Sequence, residues 1–227
     1  MQARNRKLCY ACTNEAVSRE HVPPLAFFPH GFRTDLNTVP SCSQHNNDNS
    51  KDVEYVRNLV TTCAGINEVG LSLFCDKTKR SLERSPALLW QTFRNVRPVV
   101  TPIGETGAVR FDMGRFDAVM KAIANALYFK HYDKRHTGHW GIFSSSLLHA
   151  HTFSGHTDPW QAFRNLINSA TFAPQKASHP WVFKHAIFDR GGVVLRFDFY
   201  ESFRVFALSN PDMVTGVGTP IHAPACR

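Results

Sequence analysis

The sequence predicts an α+β protein, and three observations carry that prediction. Near the N-terminus, Cys9-x2-Cys12 is answered about thirty residues later by Cys42-x2-His45, two paired half-sites flanking short β-prone runs. Phe116, Val119, Ile123, Leu127 and Tyr128 recur at three- and four-residue steps, the period of an amphipathic helix. From Trp181 to Leu208 three β-rich runs follow one another across short turns, the pattern of an antiparallel meander.

The elements follow in chain order. Val17 to Val22 has β-branched residues at its ends and is stopped by Pro23-Pro24, which suits a strand. A second short strand is expected just before Cys42. Asn49 or Ser50 can cap a helix through Val53, Val56, Leu59 and Val60. Leu71, Leu73, Phe74 and Leu82 mark another helical stretch. Pro86 suits the first turn of a helix carrying Leu88, Leu89, Trp90, Phe93 and Val96. Pro98 to Asp112 reads as a hairpin with Glu105-Thr106-Gly107 between its arms. A helix over 114–131 comes next, then a short one at Trp160, Phe163, Leu166 and Ile167. The meander, turning at Asp189 to Gly192, is expected to pack on the 114–131 helix. The expected division is 1–62 as one module, 63–210 as an α+β domain and 211–227 as a loose tail.

Composition narrows the function classes. With 227 residues, 43% hydrophobic and 19% charged, the chain can bury a core, which argues against wholesale disorder. No apolar run approaches the roughly 18–20 residues needed to cross a bilayer. Met1 to Lys7 is polar and basic with no apolar run after it, so a signal peptide is not expected and the anticipated location is cytoplasmic. Thiols there stay reduced. The net charge is +8, and residues 61–140, with 12 basic and 7 acidic side chains, carry +5 of it. Such an excess favours polyanionic partners.

Two C-x2-C/H pairs let two tight turns point four donors at one ion, the pattern of a tetrahedral zinc site formed by Cys9, Cys12, Cys42 and His45. Cys63, Cys75 and Cys226 have no partner at ligand spacing and read as packing or incidental residues. Between and after the pairs lie Glu20-His21-Val22-Pro23, Asn37 and Asn46, with sixteen positions from His21 to Asn37 and nine from Asn37 to Asn46.

This order of knuckle, strand, loop, strand, knuckle and helix resembles the HNH endonucleases, the zinc-containing branch of the ββα-metal nucleases. The resemblance covers roughly residues 7–62. It departs in having His45 where relatives usually have a fourth cysteine, and Asn46 where many have histidine. It implies a zinc-stabilised ββα-metal module that hydrolyses DNA phosphodiester bonds to 5′-phosphate and 3′-hydroxyl ends. Asn37 would then orient the His21 ring. Whole chains of this layout look like bacterial HNH proteins often suspected of restricting foreign DNA.

The chemistry can also be stated from the residues. Phosphodiester hydrolysis needs a base for water, a cation for developing charge and help for the leaving oxygen. His21 has the side-chain type suited to accept a proton at neutral pH. Glu20 and Asn46 offer oxygens to a Mg²⁺ or Mn²⁺ ion separate from the zinc. Asn47, Asp48 and Asp52 are alternative ligands. On a regular strand Glu20 and His21 would face opposite ways, and sharing one site requires the strand to end there. Lys77, Lys79, Arg80 and Arg84, with Arg94 and Arg97 beyond, form a basic stretch suited to a phosphate backbone. Six histidines between 131 and 156 read as a polar loop rather than a second metal site. The expected partner is DNA, with RNA as the alternative, and a homodimer or a regulatory partner stays open. The rival reading is a zinc module that binds nucleic acid without cutting it.

Overall fold

The computed structural model describes residues 7–47, 50–101, 104–144, 179–189 and 192–209. Within them the protein is mixed α+β with three small sheets. The N-terminal segment forms strands β1 (Ser18–His21) and β2 (Thr38–Ser41), then helices α1 (Ser43–Asn47) and α2 (Ser50–Thr61). The two strands pair antiparallel, with Glu20 opposite Val39 and His21 opposite Thr38. The link between them contains two 3₁₀ turns, Leu25–Phe27 and His30–Phe32. Helix α1 was not anticipated, and Asn46 lies within it.

Helix α3 (Glu68–Leu73) runs through one π-helical turn (Phe74–Thr78) into α4 (Lys79–Arg84). Asn67 caps α3 by accepting from the Gly70 N–H at 3.0 Å. Helix α5 (Pro86–Thr92) has Pro86 in its first turn and Ser85 capping Leu88 N–H at 3.2 Å.

Two details of the expected hairpin differ. The helix ends at Thr92, and Val96 belongs instead to β3 (Arg94–Thr101), paired with β4 (Gly104–Arg110). Pro98 disfavours a helical conformation at Arg97, and the β-branched Val96, Val99 and Val100 favour extension. The turn also comes earlier: Thr101 pairs with Gly104, so Glu105, Thr106 and Gly107 lie in β4. Gly104 has φ +118, a conformation that glycine takes without steric cost.

Helix α6 (Met113–Tyr132) matches the amphipathic pattern, and Asp112 caps it by accepting from Arg115 N–H at 3.2 Å. Its buried face includes Phe116, Val119, Ile123 and Leu127. The meander is β6 (Phe183–Asp189), β7 (Val193–Phe199) and β8 (Phe203–Leu208). An unanticipated strand, β5 (Gly141–Ser144), completes the sheet on the free side of β8, giving the order β5-β8-β7-β6. Helix α6 packs on β5 and β8 and also on α2 and β2.

One hydrophobic core therefore runs from Cys9 and Tyr10 through Val39 and Tyr55 to Phe116, Phe199 and Phe203. Phe27 stacks on Phe199 with ring centres 4.9 Å apart. The fully buried Tyr200 donates its hydroxyl to the Phe27 carbonyl at 2.5 Å. Tyr200 has φ +48 and its neighbour Glu201 φ +64, in the tight turn from β7 to β8. The Asn67 N–H is bonded to the Tyr200 carbonyl at 3.2 Å, which anchors that turn to the start of α3.

The expected helix near 160–167, the histidines at 149, 151 and 156, Cys226, Asp48 and the tail lie outside the described residues. No helix among the described residues is long and apolar enough to cross a membrane.

Candidate metal centre and adjoining cleft

The first knuckle is a tight loop. Leu8 and Glu15 form an isolated bridge, Cys9 N–H bonds the Asn14 carbonyl at 2.9 Å, and Ala11 N–H points at Cys9 Sγ at 3.5 Å. Tyr10 N–H donates to the Pro40 carbonyl at 2.9 Å, pinning this loop onto β2, which leads directly into Cys42. Helix α1 then carries His45 back toward both.

The ligand atoms of Cys9, Cys12, Cys42 and His45 all lie within 4.8 Å of one another. Cys12 Sγ is 3.7 Å from Cys42 Sγ, and His45 Nδ1 is 3.2 Å from Cys42 Sγ and 3.7 Å from Cys9 Sγ. A tetrahedron with Zn–S arms of ~2.3 Å has S···S edges of about 3.8 Å, and shorter edges toward nitrogen. The donor set and its spacing thus fit zinc. Burial opposes a thiolate at Cys9, but backbone N–H groups of Ala11, Cys42 and Cys12 outweigh it and hold the thiol below its ordinary range. Among the described residues this is the one Cys/His/Asp/Glu group gathered so closely. By contrast, burial pushes Cys63 up to about 12, and its thiol donates to the Leu59 carbonyl at 3.3 Å, as suits a packing residue.

Beside the cluster opens a cleft of about 200 Å³. Glu20 and His21 at the end of β1 both line it, together with His45 and Asn46 of α1, Tyr10 and Ser50. The opposite wall is apolar and comes from α6: Val119, Ala122, Ile123 and Ala126. At about 30 Å³ per water, the space accommodates about half a dozen waters, enough for a partly hydrated cation and a phosphate oxygen or two.

Glu20 makes no ion pair among the described residues, and burial pushes its carboxyl up to about 7. Burial also raises the neighbouring Tyr10 phenol, and the proximity of Glu20 adds to that. Asn46 is held by its amide N–H₂, which donates to Ser18 Oγ at 2.9 Å; Ser18 Oγ in turn donates to the Ser41 carbonyl at 3.1 Å. That leaves the Asn46 amide oxygen without a hydrogen bond among the described residues. A half-buried carboxylate and an oriented amide lining one cleft are the kinds of oxygen donor that a hard divalent ion takes.

The remaining sequence-derived candidates sit elsewhere. The Asn37 backbone carbonyl accepts from Val22 N–H at 2.8 Å, just past His21, but its side chain makes no hydrogen bond to His21. Asp52 is bound to Arg115 at 2.6 Å and does not line the cleft. Lys77, Arg80 and Arg84 line a groove of about 700 Å³ on the other side of α2, joined there by Lys51 and Arg57. Lys79 does not line it and lies 4.0 Å from Glu83. His136 is stacked 4.2 Å from Trp140, away from any cluster of ligands.

Tyr10, Ser18 and the α6 wall escaped the sequence reading. Val119, Ile123 and Ala126 carry a helical-period signal, but it marks a core face without saying what that face covers. No family model, curated protein or solved structure matches the chain.

Proposed function

We propose that the protein is a divalent-metal-dependent endonuclease of the HNH kind, built around a structural zinc at Cys9, Cys12, Cys42 and His45. The single observation that carries this reading is the convergence of Glu20, His21 and Asn46 on one cleft beside the Cys/His cluster. A general base, a carboxylate and an amide in one semi-apolar recess are the side-chain inventory that phosphodiester hydrolysis requires.

In this mechanism the neutral His21 imidazole takes the proton from the attacking water. Glu20 and Asn46 would hold Mg²⁺ or Mn²⁺, which when bound would supply positive charge for the charge developing on the phosphate and the leaving 3′-oxygen. Ser18 keeps the Asn46 amide oriented. The α6 wall excludes water from one side and lowers the local dielectric, which strengthens each charge interaction in the cleft. The basic groove across α2 favours a polynucleotide substrate.

The groove alone also supports the rival, a zinc module that binds nucleic acid without cutting it. A supercoiled-plasmid assay of the full chain and His21→Ala, with Mg²⁺, Mn²⁺ or neither, separates the two. The nuclease reading expects metal-dependent nicking that falls at least a hundredfold in His21→Ala while DNA affinity and zinc content persist. Equal nicking in both proteins, or none in either, would refute it.

A further inference from the structure

The groove beside α2 continues into a second recess of about 650 Å³, and the two share Gln91 and Arg115. Together they form a channel following α5. Its cations outnumber its three acids, Glu54, Asp76 and Asp112, and two of these are already committed. Glu54 accepts from Ser81 and pairs with Arg57 at 3.6 Å, while Asp112 caps α6. Lys51, Arg80, Arg84 and Arg94 are exposed and have no ion-pair partner among the described residues. The half-buried Lys77 lies near Arg33 and Arg57; burial and these two guanidiniums hold its ammonium below the ordinary range. Such a concentration of like charge is relieved by an anion.

The second recess adds an aromatic. Trp90 is 73% exposed, although it is the largest side chain on α5. Beside it lie Arg94, Arg110 and Arg115, with Tyr55 and Phe111 at the base. Arg115 is held in place by Asp52 at 2.6 Å and lies 4.2 Å over the Tyr55 ring. An indole left in water at the end of a cationic channel is an unusual feature for core packing but a functional one for stacking a base. A duplex hides the faces of its bases, whereas a single strand presents them.

We propose that this channel binds a single-stranded nucleic-acid segment, its phosphates along Lys51, Lys77, Arg80 and Arg84 and one unpaired base stacked on Trp90. This deepens the nuclease reading by naming a substrate class; it rests on that reading for the cleavage that would follow, though not for the binding. Helix α2 connects the regions: Ser50 and Val53 line the cleft, while Lys51 and Glu54 line the groove. A strand lying in the channel is thus separated from the cleft by the width of α2. A protein partner is the competing occupant, since Leu89, Val96 and Val100 are also exposed. Arginine is common at protein interfaces, but lysine is depleted there, and this face runs on into the groove that holds Lys51 and Lys77 beside Arg80 and Arg84.

The test is fluorescence anisotropy of the zinc-loaded full chain without other divalent cations. The probes are a labelled twelve-nucleotide oligo-dT, an abasic strand of equal length and a twelve-base-pair duplex. Wild type is expected to bind oligo-dT more tightly than the abasic strand. Trp90→Ala should lose about tenfold on oligo-dT and nothing on the other two, and Trp90→Phe should recover most of the loss. An Arg80→Ala, Arg84→Ala double variant should weaken binding to all three probes and flatten the salt dependence. Because Trp90 is exposed, its replacement leaves the fold intact, as melting will verify.

Unchanged oligo-dT affinity in Trp90→Ala, or an equal loss on the abasic strand, would overturn the proposal. So would a loss of self-association in place of a loss of oligonucleotide affinity, which would make this face a contact between copies. The assay involves no cleavage, so the expected binding pattern in a protein that, with Mg²⁺ or Mn²⁺, cuts neither plasmid nor a labelled single strand would sink the nuclease reading alone.

Discussion

Replacing Glu20 by glutamine is expected to stabilise the metal-free cleft, and to do so only at neutral and alkaline pH. Burial raises the Glu20 carboxyl from 4.5 to about 7. Between those values the folded state holds a proton that the unfolded state has released. Stability from this group is therefore fully present below 4.5 and is lost as the pH rises through 7. At 1.36 kcal/mol per pH unit the span of about 2.5 units sets a ceiling of ~3.4 kcal/mol. Glu20 is only part-buried, so solvent screening reduces the effect to about 1–2 kcal/mol. Glutamine has the same shape and no charge to desolvate, and its curve lacks this contribution. The assay is urea denaturation of both zinc-loaded proteins from pH 4.5 to 8 without added Mg²⁺. The stability of the variant relative to wild type should rise by about 1–2 kcal/mol across that range. A difference independent of pH would refute the assignment of Glu20 as a desolvated, cation-free carboxylate. Millimolar Mg²⁺ at pH 8 should then stabilise wild type and leave Glu20→Gln unmoved, because an adjacent cation favours the charged form. Equal stabilisation of both would remove Glu20 from the ligand set.

Two further outcomes follow from the packing. Cys42→Ser should lower zinc content from one ion per chain to well below it, as read by metal analysis. Because Cys9 and Cys42 belong to the same core as Phe116 and Phe199, it should also lower the melting temperature of the whole chain; an unshifted melt would argue against that shared core. Gly70→Ala should cost about 1–3 kcal/mol in chemical denaturation, since a Cβ there would stand 2.8 Å from Tyr200 Cγ in a ring that is fully buried. A neutral result would mean that Tyr200 can shift aside.

The residues that form the metal cluster were legible in the sequence because ligand chemistry demands close pairs. C-x2-C and C-x2-H leave few other interpretations, and local turns alone bring each pair together. Strands β1 and β2, helices α2 and α6 and the β6–β8 meander were legible for a related reason, as each has a period of its own within a dozen or so residues. The start of β3 was not, because Trp90, Phe93 and Val96 satisfy a helical spacing while Pro98 works against it from downstream. Strand β5 is four residues long and gains its place only by pairing with β8, more than sixty positions later. The joint placement of Glu20 and His21 went beyond strand alternation because β1 ends at His21. Nothing local predicts that α6 walls the cleft, and the basic groove depends on which side chains of α2, α4 and α5 face one another.

The bond from the Tyr200 hydroxyl to the Phe27 carbonyl spans 173 positions. It fastens the link between the two strands of the candidate site to the last turn of the C-terminal sheet, and α6 closes the cleft from residues about a hundred positions beyond His21. During synthesis, the zinc ligands therefore emerge long before the residues that complete the recess. Such distant closures come late and slowly in folding. A nascent or prematurely terminated chain can gather its metal ligands yet lack the walled cleft. The architecture thus makes competence a property of the finished chain, a timing safeguard for a protein proposed to cut nucleic acid.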